Sequence, residues 1–225
     1  MTNNSPTIYV KAKARHNGVF LIIVACALAL FTLLLSQFFW QQYQLVLIFI
    51  YLISLVTLIT GIAKKSEPRF SFKLTPEYIK FFHRAGHWQL NWQQIKRLAL
   101  IKETSGLEQI QLPYIGINLV NIEDLVTQIT PRLANRLIHE QKPLMSLAVM
   151  QGLLTLKQTQ LNFEPFTLSS GKVIKGPMAG FLYHCVTLHN AYGYHLFISE
   201  GSTDRELDQF CALLKNCMLK ANEQT

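Results

Sequence analysis

Two uncharged apolar runs, separated by four residues, limit what this chain can fold into more than any other feature. Residues 18–40 (GVFLIIVACALALFTLLLSQFFW) and 45–63 (LVLIFIYLISLVTLITGIA) contain no charged side chain. As helices rising about 1.5 Å per residue they reach roughly 35 Å and roughly 28 Å, against a bilayer hydrocarbon core of about 30 Å. Only Gln41, Gln42, Tyr43 and Gln44 lie between them, so the chain has room only to reverse. The sequence therefore predicts a transmembrane helical hairpin over 18–63. A cleaved leader would carry a shorter apolar region ending at a small-residue site, whereas this run continues well past Ala25 and Ala27. Ile23-Val24-Ala25-Cys26 is similar to a lipoprotein processing site, but only Val19 to Ile22 precede it as an apolar region.

Charge sets the orientation. Lys11, Lys13, Arg15 and His16 precede the first run, Lys64, Lys65, Arg69 and Lys73 follow the second, and the connection has neither Lys nor Arg. The positive-inside rule puts both termini in the cytoplasm and the turn outside, where Phe38, Phe39, Trp40 and Tyr43 supply an aromatic belt. Lys64, Lys65, Arg69 and Lys73 are the candidate membrane-surface contacts, since a basic residue beside anionic headgroups contributes about 1 kcal/mol. The net charge of +8 is concentrated beside these runs. No basic stripe with interleaved aromatics occurs, which argues against nucleic acid as a partner.

Lipid gives no hydrophobic drive for helices to associate, so small residues must form the seam between the spans. Ala25, Ala29, Thr32 and Ser36 recur on one face of the first, and Ser54, Thr57 and Gly61 on one face of the second. Reversal near Gln42 sets Ala29 level with Ser54 and Ala25 level with Thr57.

The remaining 160 or so residues suit one domain or two small ones. We divide the chain into a cytoplasmic segment 1–17, the hairpin 18–63, a sheet with a helix over 66–142, and a second α+β half over 143–225. Phe70, Phe72 and Leu74 alternate with polar residues, Thr75-Pro76-Glu77 is a turn, and Tyr78 to His83 is a second strand. Trp88, Leu90 and Trp92 share one sheet face as core. Further strands are expected at 95–102, 107–112 and 115–119, with a turn at Ser105-Gly106. Asn121 caps a helix over 122–129, and Pro131 either kinks that helix or opens a new one behind Thr130 as cap. Residues 144–156 are apolar nearly all round but too short to span, which predicts a buried helix or an interfacial segment. Residues 181–188 and 193–199 are expected to form a β-hairpin, followed by a C-terminal helix whose Thr203 and Glu206 match a capping box.

The stretch FKLTPEYIKFFHRAGHWQLNWQQI (72–95) resembles the opening of bacterial pleckstrin-homology-like domains: strand, Leu-Thr turn, strand, glycine turn, and a strand ending in Trp-x-x-Ile. Set behind a two-span hairpin, and with YIGINL (114–119) and DRELDQF (204–210), it looks like an uncharacterised bacterial family known as a domain of unknown function. The resemblance implies an α+β fold with a bent antiparallel sheet closed by a C-terminal helix, a bacterial inner-membrane location, and a binding or scaffolding role. Thr75-Pro76-Glu77 lacks the clustered Lys and Arg with which phosphoinositide-binding members hold phosphates.

No catalytic, cofactor or metal constellation emerges. There is no GxSxG, P-loop, HExxH or dinucleotide fingerprint. His184 and Cys185, as neighbours on a strand, point to opposite faces. His184 and His195 are the pair a short hairpin would align, and three or four converging ligands are needed for zinc. Cys26, Cys185, Cys211 and Cys217 form no CxxC and are expected to stay reduced. The expected function is that of a membrane-tethered, non-enzymatic cytoplasmic module engaging a protein partner or anionic lipid headgroups. The alternative is an accessory subunit of a transport or envelope-biogenesis complex that acts through its spans.

Overall fold

The computed structural model describes residues 7–11, 18–66, 68–105 and 108–223. Lys13, Arg15, His16 and Gly106 lie outside the described residues. The chain divides into two compact units, 12–69 and a second made of 1–11 with 70–225.

The first unit is α1 (Gly18–Lys65), whose helical geometry breaks at Tyr43 (φ −125°, ψ 29°). It is long and apolar enough to cross a membrane. Its buried positions recur by sevens: Gly18, Ala25 and Thr32 before the break, Leu47, Ser54 and Gly61 after it. A seven-residue repeat is the signature of helices that pack along a continuous seam. The contacts cross the break accordingly. Ser54 Oγ donates to the Ala25 carbonyl at 2.8 Å, and a Cβ built on Gly61 would lie 2.8 Å from Ile22 Cγ1. Ser54 therefore faces Ala25, one helical turn from the expected Ala29. Ala29 and Thr57 are half-buried beside the seam, and Thr57 bonds back to Ile53 within its own turn.

The second unit is α+β. β1 (Ile8–Val10), β2 (Phe72–Leu74), β3 (Tyr78–His83) and β4 (Gly86–Asn91) form an antiparallel sheet in that order. Tyr9 pairs with Lys73, Phe72 with Phe81, and Phe81 with Trp88. Alternation buries Val10, Phe72, Leu74, Ile79, Trp88 and Leu90 on one face. The Thr75-Pro76-Glu77 turn is closed by Tyr78 N–H donating to Thr75 Oγ1 at 3.0 Å. Trp92 follows β4 in a single 3-10 turn instead of continuing the strand. Its fully buried ring donates from Nε1 to the Thr75 carbonyl at 2.8 Å. The Leu-Thr turn and the tryptophan seventeen residues later are thus two halves of one hydrogen bond.

A second antiparallel sheet has the order β5 (Ile95–Ser105), β6 (Glu108–Leu119), β9 (Leu196–Ser199). β6 runs unbroken through Pro113, where the register slips between Leu100 and Lys102. A bulge is where a strand tolerates a residue without an N–H. Next come α2 (Leu125–Gln128), with Asn121 Oδ1 accepting from Glu123 N–H ahead of it, and α3 (Pro131–Glu140), with Thr130 at the N-cap position but making no side-chain cap bond. α4 (Lys142–Met150) buries Leu144, Met145 and Ala148, and the chain then leaves the helix, so 144–156 is only partly helical. A minor pair, β7 (Phe166–Thr167) and β8 (Val173–Ile174), comes next.

The expected β-hairpin over 181–199 is not formed. Residues 177–192 are α5 (Pro177–Tyr192), and only Leu196–Ser199 is a strand, β9, which pairs with β6. Phe181, Leu182, Cys185 and Leu188 are buried together at helical spacing. Pro177 sits at the first helical position, and Gly193 closes the helix in the left-handed conformation (φ 78°), which a residue with a Cβ adopts only at a cost. The capping box at Thr203 is also absent. Thr203 Oγ1 donates to the Glu200 and Arg205 carbonyls, and α6 (Leu207–Glu223) starts one turn later. α6 sets Phe210 against Phe72 at 5.1 Å between ring centroids, tying the two sheets into one core.

Replacing Trp92 with Phe removes the donor to Thr75 and leaves part of the buried indole's space unfilled, so stability should fall by at least the roughly 1–3 kcal/mol of an unpaired buried carbonyl. Denaturant unfolding followed by the remaining tryptophans would measure it, and an unchanged midpoint would mean that the turn does not depend on that bond. In a background lacking native cysteines, a 25/54 cysteine pair should crosslink faster than 29/54.

Candidate functional site

The sequence-derived basic residues do not form one cluster within a unit. Lys64 and Lys65 end α1 and Arg69 is exposed beyond it, while Lys73 lies within β2 of the other unit. Lys73 Nζ sits 5.7 Å from the Tyr78 ring centroid, and its hydrogen bond to Tyr78 raises its pKa.

A basic cavity that the sequence reading missed lies on the second sheet. It measures about 480 Å³ and is walled by Arg97, Lys102, Gln151, Leu153, Tyr192 and Tyr194 among others. Arg97 and Lys102 come from β5, Gln151 and Leu153 from the chain leaving α4, and the tyrosines from the end of α5 and the approach to β9. The packing beneath fixes Arg97. Gly116 of β6 has no side chain, and a Cβ there would lie 2.4 Å from Tyr194 Cγ, so only glycine lets that ring rest on the strand. The Arg97 guanidinium then lies 4.7 Å from the centre of the same ring, a cation–π geometry. Tyr192 Oη donates to the Leu144 carbonyl at 3.0 Å and joins α5 to α4. Gln151 Nε2 is enclosed without a hydrogen-bond partner. Among the described residues no ion pair engages Arg97 or Lys102, and no carboxylate lines the cavity. Local sequence carries no signal for this site, because Arg97 and Tyr194 are brought together by the long-range pairing of β9 with β6.

A second cavity of about 290 Å³ is bordered by Lys157, Thr159, Asn162, Tyr183, His184 and Asn190 among others. His184 is buried, and its Nε2–H donates to Gln141 Oε1 at 3.1 Å. Burial, with the nearby His139, lowers its pKa to about 4. Cys185 beside it is fully buried, and desolvation drives its thiol pKa far up, the opposite of a reactive thiolate. Burial raises Cys211 and Cys217 as well. His195 is not near His184 in role or contact: it stacks on His189 at 4.2 Å, and its Nδ1 accepts the Leu119 N–H at 3.1 Å. Burial and His189 lower its pKa to about 4. Among the described residues no three of His, Cys, Asp and Glu converge as metal ligands.

Both histidines are therefore harder to protonate folded than unfolded. The unfolded chain binds the extra protons between about pH 6.5 and about pH 4, so stability is full above that window and is lost as pH falls through it. For His184 the loss should approach the order of 3 kcal/mol; for the more open His195 it should be smaller. His184→Gln should flatten the acid limb of a stability-against-pH profile, and an unchanged limb would show that His184 does not couple folding to protons.

The family model described as Protein of unknown function (DUF2982) matches residues 72–220. No curated protein and no solved structure matches the chain.

Proposed function

The chain belongs to the DUF2982 family of unknown function, and from that premise we propose that it is a two-span membrane protein whose cytoplasmic domain is a tethered binding module. One observation carries this reading. β1 and β2 are hydrogen-bonded neighbours in one sheet, and the apolar helical stretch Gly18–Lys65 lies between them in the chain. A bilayer cannot separate two paired strands, so a stretch that enters the membrane after Val10 must return before Phe72, crossing an even number of times. The break at Tyr43 and the Ser54–Ala25 bond support a reversal with a packed seam. Phe20, Phe31, Leu45 and Phe49 are all more than half exposed, an apolar surface far larger than water tolerates on a folded monomer.

In this reading the module is PH-like, sits at the bacterial inner membrane with both termini cytoplasmic, and engages anionic headgroups or a protein partner. Lys64, Lys65, Arg69 and Lys73 supply the membrane-facing charge, and the domain acts by binding and not by catalysis. The buried, undissociated Cys185 and the hydrogen-bonded His184 favour a structural role for the residues that most resemble catalytic groups.

A cytoplasm-active reporter placed after Thr225 should give signal, and a periplasm-active reporter inserted at Gln42 should do so too. Periplasmic signal from the C-terminal fusion would overturn the topology. Replacing 12–69 with an unrelated hairpin, leaving β1 in place, should preserve the set of proteins crosslinked in native membranes. Loss of that set would shift the function to the spans and to the alternative of an accessory subunit.

A further inference from the structure

We propose that the cavity walled by Arg97, Lys102 and Gln151 binds the phosphate of an anionic phospholipid, with the lipid's apolar part lying along Leu153. This deepens the membrane-tethered reading and rests on it. Two cations line one space beside Gln151, and charge-assisted donors are what a phosphate oxygen pairs with most strongly. Among the described residues no carboxylate in the wall offers a partner to the cationic group of a zwitterionic head. The volume, about 480 Å³, falls within the range of small-molecule sites. The site is also built: Gly116 seats Tyr194, and Tyr194 holds Arg97.

The apolar side chains decide between a lipid and a free phosphate. Leu153 is 48% exposed in the cavity wall, and Met150 and Leu156, on the same segment, are 83% and 76% exposed. Three large apolar residues presented within seven positions, beside two cations, match an interfacial surface that meets both headgroups and the first acyl carbons. A soluble phosphate would leave them in water.

The test uses the full chain in a neutral detergent, incubated with phosphatidylglycerol or phosphatidylcholine, with retained lipid counted by native mass spectrometry. The wild type should retain phosphatidylglycerol preferentially, and Arg97→Gln with Lys102→Gln should reduce that preference by about tenfold. Leu153→Ser should weaken phosphatidylglycerol retention, and inorganic phosphate should fail to displace the lipid. Arg97→Lys, which keeps the charge, and near-ultraviolet circular dichroism separate loss of the site from loss of the fold. Equal retention of both lipids, or a preference untouched in the double variant, would overturn the proposal. Full displacement by inorganic phosphate would reassign the cavity to a free anion. Because the preference is read in micelles, it holds or fails independently of topology: reporter fusions that contradict the two-span reading while the preference survives would sink only the former.

Discussion

Three residues at the N-terminal end, Ile8 to Val10, join the edge of a sheet whose next strand begins more than sixty positions later. Everything between leaves that edge and comes back to it. Backbone polar groups have no partners in hydrocarbon, so a membrane excursion that starts and ends at one sheet must be helical and must reverse. The Lys11 N–H, just past β1, also donates to Asp204 at 3.2 Å, ahead of α6. The strand is thereby held to the C-terminal part of the domain as well as to β2.

The second dependence runs through the sheets. α6 covers the first sheet with Phe210, and β9 returns to pair with β6 only because α5 carries the chain across the domain. That one helix places Tyr192 against α4 and delivers Tyr194 onto Gly116. The basic cavity therefore depends on the element that the sequence least resembled. Local chemistry, an arginine over a ring, is here a product of long-range topology.

The first sheet was legible because its alternation is clean and its turn chemistry explicit: Phe72, Leu74, Ile79, Trp88 and Leu90 all fall where a period of two puts them. The buried tryptophans were also readable, although Trp92 reaches the core from a 3-10 turn. The stretch 181–199 misled because Phe181, Tyr183, Val186 and Thr187 favour strands, and Asn190 to Gly193 resemble a hairpin turn. The spacing of Phe181, Cys185 and Leu188, between Pro177 and Gly193, carried the helical signal that prevailed. β1 was invisible, since three residues are too few to show a period. The seam was half visible. Ser54 bonds to Ala25 instead of lying level with Ala29, and Ala29 and Thr57 are only half-buried, a depth that small-residue spacing alone does not encode.

The pairing of β1 with β2 is open to direct measurement in native membranes. Tyr9 and Lys73 are register partners, and directly opposed residues in an antiparallel pair bring their Cβ atoms within about 5 Å. With the native cysteines replaced, cysteines at 9 and 73 should form an intramolecular disulfide under mild oxidation as readily as a 73/80 pair, whose partners lie opposite each other on β2 and β3. If 73/80 crosslinks and 9/73 does not, β1 is not on that sheet edge, and nothing then requires the apolar stretch to return to the side it left.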